Sequence, residues 1–203
     1  MATQLLIVFY SATGSNAQLA KWAQIAGEAA GAEVRLRKVH ELAPAAAIDG
    51  NPLWRQNVDA TAHIPEASST DLEWADAILF STPSRFGIMA SQMKQFLDLQ
   101  GGLWAQGKLA NKFVTALSSA QNPNGGQEHV IHSIYTVMQH WGAIIVPAGY
   151  VNASTFAAGG NPYGTSATID GNGVMQHAEA VKAATVDQTK RLLSICGAYL
   201  KGL

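Results

Sequence analysis

Four short and almost continuous apolar runs alternate with amphipathic stretches along the chain. The runs cover residues 5–10, 77–80, 113–117 and 143–146, whereas residues 33–39 alternate between apolar and polar positions. Continuous runs are typical of strands buried on both faces, and alternation is typical of an edge strand. The pattern therefore predicts four buried strands and one edge strand.

Apolar residues spaced three or four positions apart predict helices beside these strands. The predicted apolar faces are Leu19, Trp22, Ala26 and Ala29; Met89, Met93, Phe96 and Leu97; Val130, Ile134, Val137 and Trp141; and Val181, Ala184, Leu192, Ile195 and Tyr199. Thr70 and Glu73 have the spacing of a capping box, which predicts a further short helix. Strands that alternate with helices predict an α/β protein, a doubly wound parallel sheet with helices on both faces.

Two long segments exceed what a minimal five-strand unit needs. Residues 42–69 contain three of the seven prolines, and residues 150–176 are rich in Gly, Asn, Ser and Thr. Long segments inside a compact domain are often functional or lie between subunits. We therefore expect a single domain over residues 1–203, with both insertions near a ligand or a partner.

The composition limits the partners of the chain. A formal net charge of −1 and 13% charged residues give no reason to expect binding to nucleic acid or to an anionic membrane. No apolar stretch reaches the roughly 18 residues of a membrane span, and no basic leader precedes the first strand. We therefore expect a cytoplasmic protein without a membrane span. Cys196 is the only cysteine, and we interpret it as a small core residue.

The first apolar run leads directly into a loop of small and hydroxyl residues, 11–16, which a helical pattern follows at once. Such a loop offers one phosphate its backbone N–H groups, the hydroxyls of Ser11, Thr13 and Ser15, and the positive end of a helix dipole. Gly14 can adopt a left-handed conformation. The loop has no lysine and is not G-x-G-x-x-G, which favours a mononucleotide over a nucleoside triphosphate. The alternative is a helix cap that binds nothing.

Loops after the third and fourth strands are further candidates, because ligands bind at the carboxyl ends of the strands in a doubly wound sheet. Residues 81–87 supply amides, a hydroxyl, the Arg85 guanidinium and the Phe86 ring, which suit a planar ligand with a polar edge. Residues 118–126 are rich in amides and glycines and are interpreted as a second clamp. Trp104, which follows two glycines, is a candidate ligand contact. Core packing of the two aromatic residues and ordinary turns are the alternatives.

Other chemistries find little support in the sequence. Glu128, His129 and His132 lie close on one predicted helix, but no further convergent ligands can be named, so we expect no metal site. No G-x-S-x-G elbow is present, which removes the simplest serine hydrolase. What remains is a protein that binds a flat mononucleotide and offers no side-chain nucleophile. This favours a flavin as the ligand, because a flavin carries the chemistry itself.

Several motifs together resemble one known family. They are FYSATG at 9–14, DAILFSTPSRFG at 76–87, SQMKQFLD at 91–98, GGLW at 101–104, GGQE at 125–128 and NPYG at 161–164. In this order, and over nearly the whole chain, they are similar to the WrbA family of FMN-dependent NAD(P)H:quinone oxidoreductases. The resemblance implies a flavodoxin-like fold with the five strands in the order 2-1-3-4-5. It also implies FMN as cofactor, NAD(P)H as co-substrate and a homotetramer with active sites near subunit interfaces.

Carried over by position, the resemblance assigns the site residues. The cofactor-binding residues are Ser11, Ala12, Thr13, Gly14, Ser15, Asn16, Ser84, Arg85, Phe86, Gly87, Ser119, Ala120, Gln121, Asn122, Asn124, Gly125 and His140. His140 is also the candidate catalytic residue, and Trp104 is the indole placed beside the quinone or nicotinamide. The chain departs from many members at Thr13, where an aromatic residue is common, and at Trp141, where a second histidine is common.

The resemblance implies a two-electron reaction of the ping-pong type. A hydride passes from the nicotinamide to the flavin, the oxidised nicotinamide leaves, and a quinone then takes two electrons at the same place. Two alternatives stay open. One is a flavodoxin-type one-electron carrier, although such carriers are usually strongly acidic. The other is an FMN-binding regulatory protein without turnover.

Overall fold

Seven strands and nine helices make up the part of the chain that the structure describes, residues 2–202 of a computed structural model. The strands are β1 (Gln4–Phe9), β2 (Glu33–Lys38), β3 (Ala77–Arg85), β4 (Ile88–Met89), β5 (Phe113–Ala120), β6 (Ile144–Ile145) and β7 (Ser166–Thr168). The helices are α1 (Ser15–Ala29), α2 (Ala45–Asp49), α3 (Pro52–Ala60), α4 (Ser69–Trp74), α5 (Ser91–Asp98), α6 (Gly101–Ala105), α7 (Gln127–Trp141), α8 (Ala153–Ala157) and α9 (Ala178–Lys201).

The five main strands form a parallel sheet in the order β2-β1-β3-β5-β6. Counted along the chain as five strands, this is the order 2-1-3-4-5, so the predicted flavodoxin-like topology is confirmed. The short β4 pairs antiparallel with the end of β3, and β7 pairs in parallel with β5. The prediction did not include these two additions.

The fifth strand is shorter than predicted. Only Ile144 and Ile145 of residues 143–146 form β6, and they pair with the first residues of β5. Pro147 has no N–H and cannot continue the ladder. The chain leaves the sheet there and returns as β7, which pairs with the other end of β5.

Helices cover both faces of the sheet, as predicted. On one face α1 and α9 pack over β1 and β5, and on the other face α4, α5 and α7 do so. Successive residues of β1 point to opposite faces, which explains its continuous apolar run. The first core contains Leu5, Ile7, Leu19, Leu192 and Cys196, and the second contains Leu6, Val8, Leu72, Met93 and Ile134. The core role of Cys196 is thereby confirmed.

The capping box before β3 is not the predicted one. Ser68 is the N-cap of α4, its hydroxyl accepts from the N–H of Asp71, and the Asp71 carboxylate accepts from the N–H of Ser68. The box therefore begins two residues before Thr70, with an aspartate in the role given to Glu73. Met89, which was assigned to a helix, lies in β4 because α5 begins only at Ser91.

The two insertions contain more regular structure than their composition suggested. The segment at 42–69 forms α2 and α3, and the segment at 150–176 forms α8 and β7. Within residues 2–202, no helix combines the length and apolar character that a membrane crossing requires.

Candidate functional site

A cavity of about 550 Å³ opens at the carboxyl ends of β1, β3 and β5. Most of the residues assigned from the sequence line it together: Ser11, Ala12, Thr13, Ser15, Asn16, Ser84, Arg85, Phe86, Gly87, Ser119, Ala120, Gln121, Asn122 and Gly125. Residues that sequence reasoning missed complete the wall: Asn51, Leu53, Trp54, Pro83, Ile169, Asp170, Gly171 and Gly173. Except for Pro83, the missed residues belong to the two insertions, which were expected near a ligand without individual residues being named.

The floor of the cavity at β1 has the donors that an anion needs. Gly14 has a φ of 99° and precedes α1, whose N-terminus has no side-chain cap. The first N–H of the helix that donates to a backbone carbonyl is that of Gln18, to Gly14. Among the described residues, no acceptor faces the N–H groups of Ser15, Asn16 and Ala17. Free N–H groups at the positive end of a 15-residue helix are suited to a phosphate.

The Asn16 side chain joins this loop to its neighbours. Its Nδ2 donates to Oγ of Ser119 over 2.7 Å, and its Oδ1 accepts from Oγ of Ser81 over 3.0 Å. All three residues are buried. Asn16 therefore uses its side-chain amide to tie the start of α1 to β3 and β5, and its backbone N–H remains free for a ligand.

The loops after β3 and β5 touch at their glycines. A Cβ atom on Gly126, which has a φ of 86°, would lie 2.6 Å from Cα of Gly87. The Oγ of Ser84 donates to the carbonyl of Gly125 over 2.6 Å and accepts from the N–H of Gly87. Like Asn16, Ser84 organises loops that line the cavity.

Arg85 and Phe86 lie at the mouth of the cavity. The Phe86 side chain is fully exposed, and its backbone has a φ of 54°. A bulky residue with positive φ is uncommon and is characteristic of functional loops. The structure thus rules out core packing for Phe86 and leaves its ring available to a ligand or a partner.

A carboxylate supports the Trp54 wall of the cavity. Glu41 accepts hydrogen bonds from Tyr10 Oη, Gln92 Nε2 and Trp54 Nε1, and from the N–H groups of Leu42 and Ala43. Burial alone would raise the pKa of Glu41, but these hydrogen bonds outweigh it and lower the pKa. The group is therefore an anion at neutral pH.

Trp104 and His140 form a separate pair. The indole Nε1 of Trp104 donates to the backbone carbonyl of His140 over 2.9 Å, and both side chains are exposed. Neither residue lines the cavity, and Asn124 lines a neighbouring cavity on the other side of its loop. Gly14 shapes the first loop without lining the cavity. The structure therefore brings 14 of the 17 assigned cofactor residues to one cavity.

The histidines of α7 lie apart from the cavity. The His132 ring packs against Tyr163, with ring centroids 4.1 Å apart. Within residues 2–202, no three His, Cys, Asp or Glu side chains are grouped as a metal site would require.

Proteins of known name match most of the chain. The sequence profile of the NADPH-dependent FMN reductase family matches residues 5–158. A protein of Deinococcus radiodurans named NAD(P)H dehydrogenase (quinone) is 51% identical over 177 residues, which cover 87% of this chain and 88% of that protein. A protein of the same name from Brucella anthropi is 38% identical over 196 residues, covering 95% and 96% of the two chains.

Solved structures share the fold at low sequence identity. A WrbA-like flavodoxin from Agrobacterium tumefaciens has a TM-score of 0.66 and 18% identity, covering 97% of this chain and 99% of that one. An archaeal flavodoxin has a TM-score of 0.56 and 14% identity, covering 94% and 99%. These likenesses agree with the strand order described above.

Proposed function

Because this chain belongs to the NADPH-dependent FMN reductase family, we propose that it reduces quinones with two electrons from NAD(P)H. It is an FMN-dependent NAD(P)H oxidoreductase. The relatives named NAD(P)H dehydrogenase (quinone) support a quinone as electron acceptor. The observation that carries the proposal is the single cavity that unites the three predicted loops.

The cavity fits FMN by its size and by its donors. Its volume of about 550 Å³ lies within the roughly 300–1,000 Å³ of cofactor sites. The unpaired N–H groups at the start of α1 suit the phosphate, and no lysine or arginine stands in that loop. Neutral donors of this kind match a single phosphate rather than a triphosphate with magnesium.

The residues of the chain bind and orient the reactants, and bound FMN would supply the redox chemistry by accepting a hydride equivalent and passing on two electrons. Residues 11–16 would hold the phosphate, and residues 84–87 and 119–125 would hold the ring. The N–H of Gly125 already donates to the carbonyl of Asn122, so other amides of that loop are the ones free for the ligand.

We propose that the nicotinamide and the quinone occupy in turn one place beside the flavin ring, which gives ping-pong kinetics, and that the exposed pair of Trp104 and His140 meets them from outside the cavity of its own chain, at the expected subunit interface. The His140 carbonyl fixes the exposed indole, and a fixed ring holds a flat substrate at little entropic cost. Double-reciprocal plots at several quinone concentrations should be parallel, and intersecting lines would contradict this order. Trp104→Ala should raise KM for quinone without changing the Kd for FMN.

An absorption spectrum of the purified protein tests the function first. We expect the bands of bound flavin, bleaching when NADPH is added without oxygen, and recovery when benzoquinone follows. A protein that binds FMN but oxidises no NAD(P)H with any quinone would contradict the proposal. A strongly populated semiquinone on photoreduction would favour a one-electron carrier, and FMN binding without turnover of any quinone would favour the regulatory protein. Failure to bind FMN would refute the FMN site itself.

We also propose that the protein is a homotetramer. Several large apolar side chains between the end of β3 and α6, and on the second insertion, are exposed: Phe86, Ile88, Leu99, Trp104, Tyr150, Val151 and Phe156. Exposed apolar groups of this number support burial against other subunits. Sedimentation velocity should give about four times the chain mass of 21.4 kDa.

A further inference from the structure

Asn57 of α3 is buried against the phosphate loop although it lies 46 positions after Ser11 in the chain. Its Nδ2 donates to the backbone carbonyl of Ser11 over 2.7 Å. Its Oδ1 lies 3.7 Å from the position that a Cβ on Gly14 would occupy. The first insertion therefore reaches the loop that we assign to the FMN phosphate.

The hydrogen bond from Asn57 fixes the orientation of the whole peptide group between Ser11 and Ala12. The C=O and N–H of a trans peptide point in opposite directions, so holding the Ser11 carbonyl also sets the direction of the Ala12 N–H. Ala12 lines the cavity, and no acceptor for its N–H is found among residues 2–202. Asn57 therefore orients the unpaired N–H of Ala12, although its own side chain does not line the cavity.

A second contact holds α3 in place one helical turn earlier. Trp54 and Asn57 are three residues apart and share a face of α3. The Trp54 Nε1 donates to Glu41 Oε2 over 3.1 Å. At the neighbouring position, Leu53 packs closely against Gly173 of the second insertion. A Cβ atom added to Gly173 would lie only 2.9 Å from Cδ1 of Leu53. Contacts at three successive points leave α3 little freedom to move away from the phosphate loop.

We propose that Asn57 is a positioning residue for the FMN phosphate, acting through the peptide between Ser11 and Ala12, and that Trp54 and Glu41 hold α3 in the position that this requires. The proposal rests on the FMN site of the proposed function. It gives the first insertion a defined task, which is to make the site select a phosphorylated flavin.

The ratio of the affinities for FMN and riboflavin isolates this effect, because riboflavin has the same ring and lacks the phosphate. Apoprotein is titrated with each flavin, and quenching of flavin fluorescence gives the two Kd values. Asn57→Ala should raise the Kd for FMN roughly 5- to 20-fold and change that for riboflavin less than about 2-fold. The ³¹P resonance of bound FMN should shift as well. Gln56→Ala, an exposed neighbour on α3, should behave as wild type.

Trp54→Phe keeps the inference testable if Asn57→Ala does not fold. It retains an aromatic ring at the cavity wall, although a smaller one, and removes the N–H that donates to Glu41. If Trp54 only touched the flavin ring, the substitution would change the Kd for FMN and for riboflavin by the same factor. A displaced α3 should instead lower the preference for FMN over riboflavin, by roughly 2- to 5-fold.

The outcomes separate the inference from the function on which it rests. Equal losses for both flavins in Asn57→Ala, or an unchanged preference in both variants, would overturn the inference and leave the FMN site intact. A wild-type protein that binds neither flavin would refute the proposed function, and the inference with it.

Discussion

Asn16 and Ser119, which are 103 positions apart, are joined by a buried hydrogen bond of 2.7 Å from Nδ2 to Oγ. The first belongs to the start of α1 and the second to the end of β5. Because the same amide also accepts from Ser81 in β3, the three elements from which the cavity loops extend are connected. A change in one of them is expected to alter the others.

Asn16→Ala should destabilise the apoprotein by about 2–4 kcal/mol, because it removes two buried hydrogen bonds, leaves the Ser119 hydroxyl without a partner and leaves the Ser81 hydroxyl only its 3.3 Å bond to the backbone carbonyl of residue 16. Urea unfolding at pH 7 measures the loss. Gln18→Ala, on the exposed side of the same helix, should stay within about 0.5 kcal/mol of wild type. If the two variants were equally stable, the amide of Asn16 would have no structural role.

Gly126→Ala should prevent the close approach of the loops after β3 and β5. The new Cβ would meet the backbone of Gly87, and the positive φ of Gly126 adds strain. We expect a loss of about 1–3 kcal/mol and weaker FMN binding. Gly102→Ala is the matched control, since nothing lies within 4 Å of its Cβ position and it sits in α6. It should be neutral or slightly stabilising in urea unfolding.

The sheet was predictable because its signal is local. Residues 5–10 and 113–117 are almost continuous apolar runs, and runs of this kind are typical of buried strands whatever the rest of the chain contains. The splitting of the fifth strand was harder to foresee. Ile144 and Ile145 have the same signal, but Pro147 ends the ladder and the insertion returns a separate strand, β7.

The cavity was predictable only where its residues directly follow strands. The loops after β1, β3 and β5 must meet at one edge of a parallel sheet, and they do. Trp54 and Asn57 reach the same place because the first insertion folds back towards it. Hydrophobic periodicity predicts helices but not where in space an insertion lies. Local sequence alone could not locate the capping box either, because Ser68 and Thr70 both have acidic residues three positions later. Only tertiary contacts select Asp71. Its carboxylate also binds Arg35 and Arg37 of β2.

Cys196 should be inert in the folded protein. Its side chain lies on the buried face of α9, in the core between this helix and the sheet, and burial raises the pKa of the thiol to about 12. A chromogenic disulfide reagent at pH 8 should react on the order of a thousandfold more slowly with native protein than with protein in denaturant. Rapid labelling without denaturant would mean that α9 opens readily from the sheet.

The Glu41 cluster should make the protein more stable at neutral than at acidic pH. Hydrogen bonds from Ala43, Gln92, Trp54 and Tyr10 lower the pKa of Glu41 in the folded state despite its burial, whereas the unfolded-state pKa is about 4.3. A group whose pKa is lower in the folded state contributes stability above its unfolded pKa, and this contribution is lost as the pH falls through the folded pKa.

Glu41→Gln removes that contribution and replaces an acceptor by an amide N–H that faces the donors Tyr10 and Trp54. At pH 7 the variant should be about 1–3 kcal/mol less stable than wild type in urea, and the difference should shrink from about pH 5 downward. Glu33→Gln, on the exposed start of β2, is the matched control and should follow the wild-type curve. A difference that stayed constant between pH 7 and pH 3 would show that the Glu41 side chain acts by its shape and not by its charge.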